Sequence, residues 1–196
     1  MNPTPQDPFL HVLAAQLTDS GYGVTVHPPT PHGPFEWLES TLPDCFGGQD
    51  IGLRWLSLDD QSDAPDEEDD DEPLPAMALI RIDALLPFPI AEDQLPLTLA
   101  TIEVLNDLLP FGSIGLRPHA QCWAWQYTMA TPANAFNGLL ALRVIDTLQF
   151  YLALLSPVLI AGFEQRLSPE ALHESIRIAL AEWVDQAPGQ DRGAAS

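Results

Sequence analysis

Lysine is absent from this chain of 196 residues, and seven arginines face 28 aspartates and glutamates, for a net charge of −21. A surface this acidic repels nucleic-acid phosphates, so we expect no nucleic-acid partner. A Walker-type phosphate loop needs a lysine and is excluded. Two cysteines, Cys45 and Cys122, are too few for a disulfide framework. They predict reduced thiols and a cytoplasmic location, and the first residues lack the basic and apolar segments of a signal peptide.

The negative charge is concentrated in one stretch. Ten of the acids lie between Asp59 and Glu72, and their removal would take the net charge from −21 to −11. Residues 66–72 have neither the alternating ligand spacing nor the central glycine of an EF-hand loop. We therefore expect a solvated, disordered acidic loop at about 59–75, with no metal site and no cofactor.

Hydrophobic periodicity predicts an α+β fold in which an antiparallel sheet packs against helices. The predicted elements are a helix at 8–20, a strand at 22–27, a Pro- and Gly-rich connector at 28–48, strands at 51–58 and 76–85, a helix at 92–109, strands at 113–116 and 121–130, a long helix that begins at 131–132, and a last helix that Ser168 caps. The predicted apolar face of the long helix includes Phe136, Leu140, Val144, Leu148 and Tyr151. Residues 1–186 are expected to form one domain, and 187–196 a disordered tail.

One apolar stretch raises the question of a membrane span. The 17 residues from Thr147 to Phe163 carry no charge. A span needs about 20 apolar residues, and Gln149 and Pro157 interrupt this one. No Lys or Arg cluster flanks it. We expect a buried helix rather than a span.

The motifs that could carry catalysis are incomplete. His119 and Cys122 have a spacing that zinc accepts, but a structural site needs four ligands. Glu103 and Asp107 lie four residues apart on one helical face, where solvated acids are far commoner than an acid–base pair. A small acid/base hydrolase remains an alternative, provided that His119 or His173 converges with a carboxylate in a pocket. We predict no catalytic residues.

The strand at 121–130 carries three aromatic side chains on one face, Trp123, Trp125 and Tyr127. Helices usually bury such a face. The alternative is that part of it forms an exposed platform for an extended apolar segment of a partner, and these three residues are the predicted partner-binding residues.

The stretch TIEVLNDLLPFGSIGL at 101–116, which leads into the aromatic strand and a long helix, resembles the YbjN-like branch of the type III secretion chaperone-like families. The resemblance implies a chaperone-like α/β sandwich that forms a homodimer and binds extended segments of client proteins. It also implies a dimer interface on the middle helix, formed by Leu95, Leu99, Ile102, Leu105 and Leu109.

Together these patterns favour a noncatalytic, chaperone- or adaptor-like module that binds extended or amphipathic segments of a partner protein. The acidic charge favours a basic client. A structural or regulatory subunit of a larger assembly is the other alternative.

Overall fold

A computed structural model describes residues 8–30, 35–58, 77–89, 92–120, 122–132 and 138–186. Within them, six strands form one sheet in the order β1-β2-β3-β4-β6-β5, and every neighbouring pair is antiparallel. The elements are α1 Pro8–Asp19, β1 Gly23–His27, β2 Trp37–Phe46, β3 Gln49–Ser57, β4 Met77–Pro89, α2 Leu95–Leu108, β5 Ser113–Arg117, β6 Cys122–Pro132, α3 Gly138–Glu164 and α4 Pro169–Gln186. This arrangement confirms the predicted α+β class.

The two faces of the sheet differ because side chains alternate along each strand. One face lies under the helices and forms a contiguous core with them. Its largest fully buried side chains are Trp55, Trp123, Trp125, Leu38, Leu42, Ile51, Leu53, Ile80 and Ile82. The other face, which we call the open face, carries most of the polar strand residues. The strand register aligns one row of them across all six strands: Thr25, Glu39, Arg54, Asp83, Gln126 and Ser113.

The predicted connector at 28–48 is wrong for its second half, which forms β2. Leu38, Ser40 and Leu42 point into the core, and the polar Ser40 obscured this alternation. Its hydroxyl is satisfied there, because it accepts a hydrogen bond from Trp55 Nε1 at 2.9 Å. Pro43 lies at the register shift between Leu42 and Phe46, where a missing N–H is tolerated.

The predicted start of the long helix is also wrong. Thr131 and Pro132 continue β6 and pair with β4, and α3 begins at Gly138. Phe136, which was assigned to the apolar face of this helix, lies outside the described residues. Val144 and Leu148 are buried as predicted, whereas Leu140 is exposed. Thr-Pro suits a helix start equally well, so only the pairing with β4 decides its place.

Two further predictions concern the ends of elements. The strands that flank the acidic run, β3 and β4, pair antiparallel as expected. The run itself at 59–75 and the tail at 187–196 lie outside the described residues. Ser168 caps α4 as predicted, because its Oγ accepts a hydrogen bond from the backbone N–H of Ala171 at 3.3 Å.

Helix α3 is long and apolar enough, by length and composition, to cross a membrane. In the structure it packs against the sheet and α4, and its inner face is buried. A core helix passes the same test of length and composition, so the absence of a membrane span stays a prediction.

Candidate functional site

The aromatic strand belongs to the core. Trp123 and Trp125 are fully buried on the helix-covered face, and Tyr127 is half-buried. Trp123 packs between Phe88 and Phe163, with ring centroids at 4.7 and 5.5 Å. The chain's own helices therefore cover this face, and the two tryptophans form no exposed platform. Of the three predicted partner-binding residues, only Tyr127 keeps part of its side chain in solvent.

Fewer residues of the predicted dimer helix are exposed than a dimer interface of all five would require. Leu95 is 37% exposed and Leu99 52% exposed, but Ile102 and Leu105 are buried inside the chain. Leu109 is half-buried just beyond the end of α2. A dimer contact through α2 would thus rest on Leu95 and Leu99.

The inner face of α2 contains threonines that its apolar pattern did not predict. Thr98 and Thr101 are buried there beside Leu97, Ile102 and Leu105. Thr101 Oγ1 donates to the Leu97 carbonyl at 2.7 Å, which satisfies one hydroxyl within the helix. The buried face of α2 therefore includes both threonines, whereas Leu95 and Leu99 lie outside it.

A groove opens where the β2–β3 hairpin meets the C-terminal part of α3. The hairpin turn is Gly47-Gly48, and both residues have positive φ (58° and 79°), as a two-residue type I′ turn requires. The Gly47 backbone N–H donates to Ser156 Oγ at 3.2 Å, which fixes the turn against α3. A Cβ on Gly47 would lie 2.7 Å from Ile160 Cδ1, so glycine permits this close approach.

We call this concavity the hairpin groove; its volume is about 380 Å³. Its lining residues are Phe46, Gly47, Gln49, Pro87, Phe88, Gln94, Ile160, Phe163 and Glu164. Phe88 contacts both Phe46 and Phe163, with centroids at 4.7 and 5.5 Å, so these rings are held by the core. The rim is polar, and Glu164 is exposed there.

Hydrogen bonding fixes the far wall of the groove. Gln94 Nε2 donates to the Phe163 carbonyl at 2.9 Å and satisfies a carbonyl in the last turn of α3. Nearby, Arg166 pairs with Asp93 at 3.0 Å. The groove therefore has an apolar floor and a polar rim on which Glu164 is the one acid among the lining residues. Such a site can hold an apolar side chain whose neighbours are polar or basic.

The described histidines lie outside the hairpin groove. His27 pairs with Glu39 at 3.1 Å and His11 with Glu36 at 3.3 Å, whereas His119 and His173 are exposed. Nothing in the described part of the chain groups three or more His, Cys, Asp or Glu side chains as a metal site would. The predicted pair Glu103 and Asp107 is exposed on α2.

The shifted pKa values also reflect structure rather than a reaction centre. Burial raises the pKa of Cys45 to about 11, so this thiol is protonated and unreactive. Burial, and then the negative charge of Asp146, raises the pKa of Tyr22. A hydrogen bond from Arg177 lowers the pKa of the exposed Glu174. All three titrating residues lie outside the hairpin groove.

No family model matches this chain, and no curated protein matches it. The resemblance carried by residues 101–116 therefore stays a prediction, together with the dimer and the clients that it implies.

Sequence reasoning missed the floor of the groove. Phe46 fell in the predicted connector, and Phe163 appeared only as the end of an apolar run. The Gly47-Gly48 pair beside Phe46 is a hairpin signal that could have located the turn. No local pattern brings Phe88 to this turn, because that contact depends on the sheet.

Proposed function

We propose that this protein is a noncatalytic binding module that holds an extended, amphipathic segment of a partner protein. The observation that carries the proposal is the hairpin groove, with Phe46, Phe88 and Phe163 forming its floor. An apolar side chain of the partner would occupy this floor, in the way that alternate side chains of extended peptides fill pockets.

The negative charge of the protein favours partner segments that carry basic residues. Glu164 lies at the rim, and the chain as a whole carries a net charge of −21. Basic residues beside the apolar anchor would be attracted to this rim and would speed encounter with the protein. Salt screens charges over about 8 Å at physiological ionic strength, so the association rate would fall as salt rises.

The resemblance to chaperone-like families supports the same proposal, and it adds a homodimer and a cytoplasmic location. Leu95 and Leu99 are the residues of the predicted dimer helix that the chain leaves exposed. A twofold contact of α2 with its copy would cover them. Light scattering on the purified protein would measure the mass of the assembly.

The groove is tested with a fluorescein-labelled dodecapeptide of alternating leucine and lysine. In Ile160→Glu a carboxylate replaces a half-buried apolar side chain at the groove wall. Full burial of such a side chain contributes about 1.5–3 kcal/mol, so we expect binding to weaken about tenfold or more in fluorescence anisotropy. The added negative charge alone would strengthen attraction to a basic peptide.

The matched control is Leu139→Glu. Leu139 is 64% exposed at the opposite end of the same helix, and its substitution adds the same charge. We expect this variant to bind the peptide as the wild type does. Equal affinities for the two variants would contradict the proposal, provided that circular dichroism shows both to be folded.

A further inference from the structure

Exposed leucines form two apolar patches on the open face of the sheet. Leu58 and Leu79 are exposed neighbours in one patch, because the Leu58 N–H donates to the Leu79 carbonyl at 2.8 Å. Leu85 is 54% exposed and forms the other patch. It lies six residues after Leu79 along β4, so the two patches are about 20 Å apart.

Small side chains lie beside these leucines on the neighbouring strands. Leu85 pairs with Ala124, which in turn pairs with Gly115, and Leu79 pairs with Ala130. Opposite residues of an antiparallel pair project from the same face of the sheet. The leucines therefore stand above low surroundings, and a second sheet can approach to the usual separation of about 10 Å.

The charges of the open face are close to balance, in contrast to the net charge of −21. Among the residues that pair in the sheet, the charged side chains are Glu39, Arg54, Arg81, Asp83 and Arg117. They comprise three of the seven arginines and only two of the 28 acids. Two copies of a strongly acidic chain repel each other, and this face allows them to approach with little of that repulsion.

The outward residues of β4 follow an order that is complementary to itself. They are Leu79, Arg81, Asp83 and Leu85, so an apolar residue stands at each end and opposite charges stand between them. Within one chain, Arg81 Nε donates to Asp83 Oδ1 at 3.0 Å, which holds the two charged groups in place. The guanidinium has four further N–H groups, and the carboxylate has a second oxygen. The pair can therefore contact the same pair of another chain.

We propose that two copies of this chain pack through their open faces, with the two β4 strands stacked antiparallel about a twofold axis. Leu79 of one copy then lies over Leu85 of the other, and Arg81 lies over Asp83. A second copy offers the same four residues in reverse order, so one symmetric contact places each group against its complement. None of the four lines the hairpin groove, so this interface does not depend on the proposed client site.

Leu85→Asp tests the interface, and Leu99→Asp on α2 is its matched control. The two leucines are 54% and 52% exposed, and each substitution adds the same charge. Sedimentation equilibrium of the full-length wild type should show a dimer. Loss of a buried leucine weakens binding about tenfold or more, and the twofold axis doubles this loss, so Leu85→Asp should raise the dimer Kd about a hundredfold. Leu99→Asp should leave the Kd nearly unchanged. A wild type with the mass of one chain at every concentration would overturn the proposal, as would dissociation by Leu99→Asp alone, which would place the dimer on α2.

Exchange of the central charges tests the antiparallel stacking. Arg81→Asp and Asp83→Arg, each alone, bring like charges together across the twofold axis, so each variant should dimerise more weakly than the wild type. A mixture of the two variants restores opposite charges across the contact. Native mass spectrometry of the mixture should show dimers of one chain of each kind, at least about tenfold tighter than the dimers of either variant alone. A mixture that associates no better than the separate variants, with circular dichroism showing both to be folded, would overturn the proposal.

Discussion

The substitution Trp125→Ala tests whether Trp125 is a core residue or part of an exposed binding platform. The side chain is fully buried, and its ring lies 6.1 Å from that of Phe111. Its Nε1 has no acceptor among the described residues, so the substitution removes packing and no hydrogen bond. Replacement of a buried tryptophan by alanine costs about 3–5 kcal/mol. This is a large part of the roughly 5–15 kcal/mol that stabilises a typical domain.

The control for this prediction is Trp183→Ala. Trp183 is 45% exposed on α4 and contacts Phe150 with centroids 4.7 Å apart. Such an aromatic pair contributes about 0.5–1.5 kcal/mol beyond its buried area, so we expect a smaller loss than for Trp125. The two substitutions remove the same atoms. The difference between their losses of unfolding free energy therefore measures the contribution of burial.

Urea unfolding followed by far-UV circular dichroism gives the unfolding free energies of both variants. This signal does not depend on tryptophan fluorescence, which the substitutions change. With a slope of about 2 kcal/mol per molar urea, Trp125→Ala should lower the midpoint by about 2 M. Loss of the ring contact in Trp183→Ala should lower it by about 0.25–0.75 M. Equal midpoints for the two variants would show that Trp125 does not lie in the core and would refute the packing described above.

Three further predictions follow from single positions. Gly112→Ala should lower the free energy of unfolding in urea by about 2–4 kcal/mol, because φ is 71° and a Cβ would lie 2.7 Å from the Gln126 carbonyl oxygen. In the control Gly115→Ala the added Cβ has no atom within 4 Å, so the loss of stability should be far smaller. At pH 8 a thiol reagent should modify Cys45 only after unfolding, because its pKa of about 11 keeps it protonated; fast labelling of the native C122A variant would contradict this. Deletion of residues 63–71 should leave the circular dichroism spectrum and the cooperative transition intact, since β3 and β4 pair without that run; loss of folding would make the run structural.

Local patterns predicted most elements because each has a strong period or a clear boundary. Leu10, Leu13 and Leu17 repeat at helical spacing, and all three are fully buried in α1. Ser168-Pro169 marked the start of α4 correctly. The errors lie where local signals conflict. Ser40 and Pro43 hid the strand β2, although one is hydrogen-bonded in the core and the other lies at a register shift.

The candidate sites were much less predictable than the elements. Trp123 and Trp125 gave the strongest local signal for a binding face, yet the same side chains are ideal for a core. Which use applies depends on whether helices cover them. The hairpin groove combines residues from distant parts of the chain, namely Phe46, Phe88 and Phe163. No period or spacing in the sequence relates these residues.

The sequence by itself determined the α+β class, the excess of acids and their concentration at 59–72, because composition and periodicity are properties of neighbouring residues. Tertiary structure alone decided which face of the sheet is covered and where the arginines gather. Arg54, Arg81 and Arg117 are far apart in the chain, and strand pairing places them on one open face. The overall charge of −21 therefore does not describe every surface of the protein, because strand pairing places these arginines on one face beside Glu39 and Asp83.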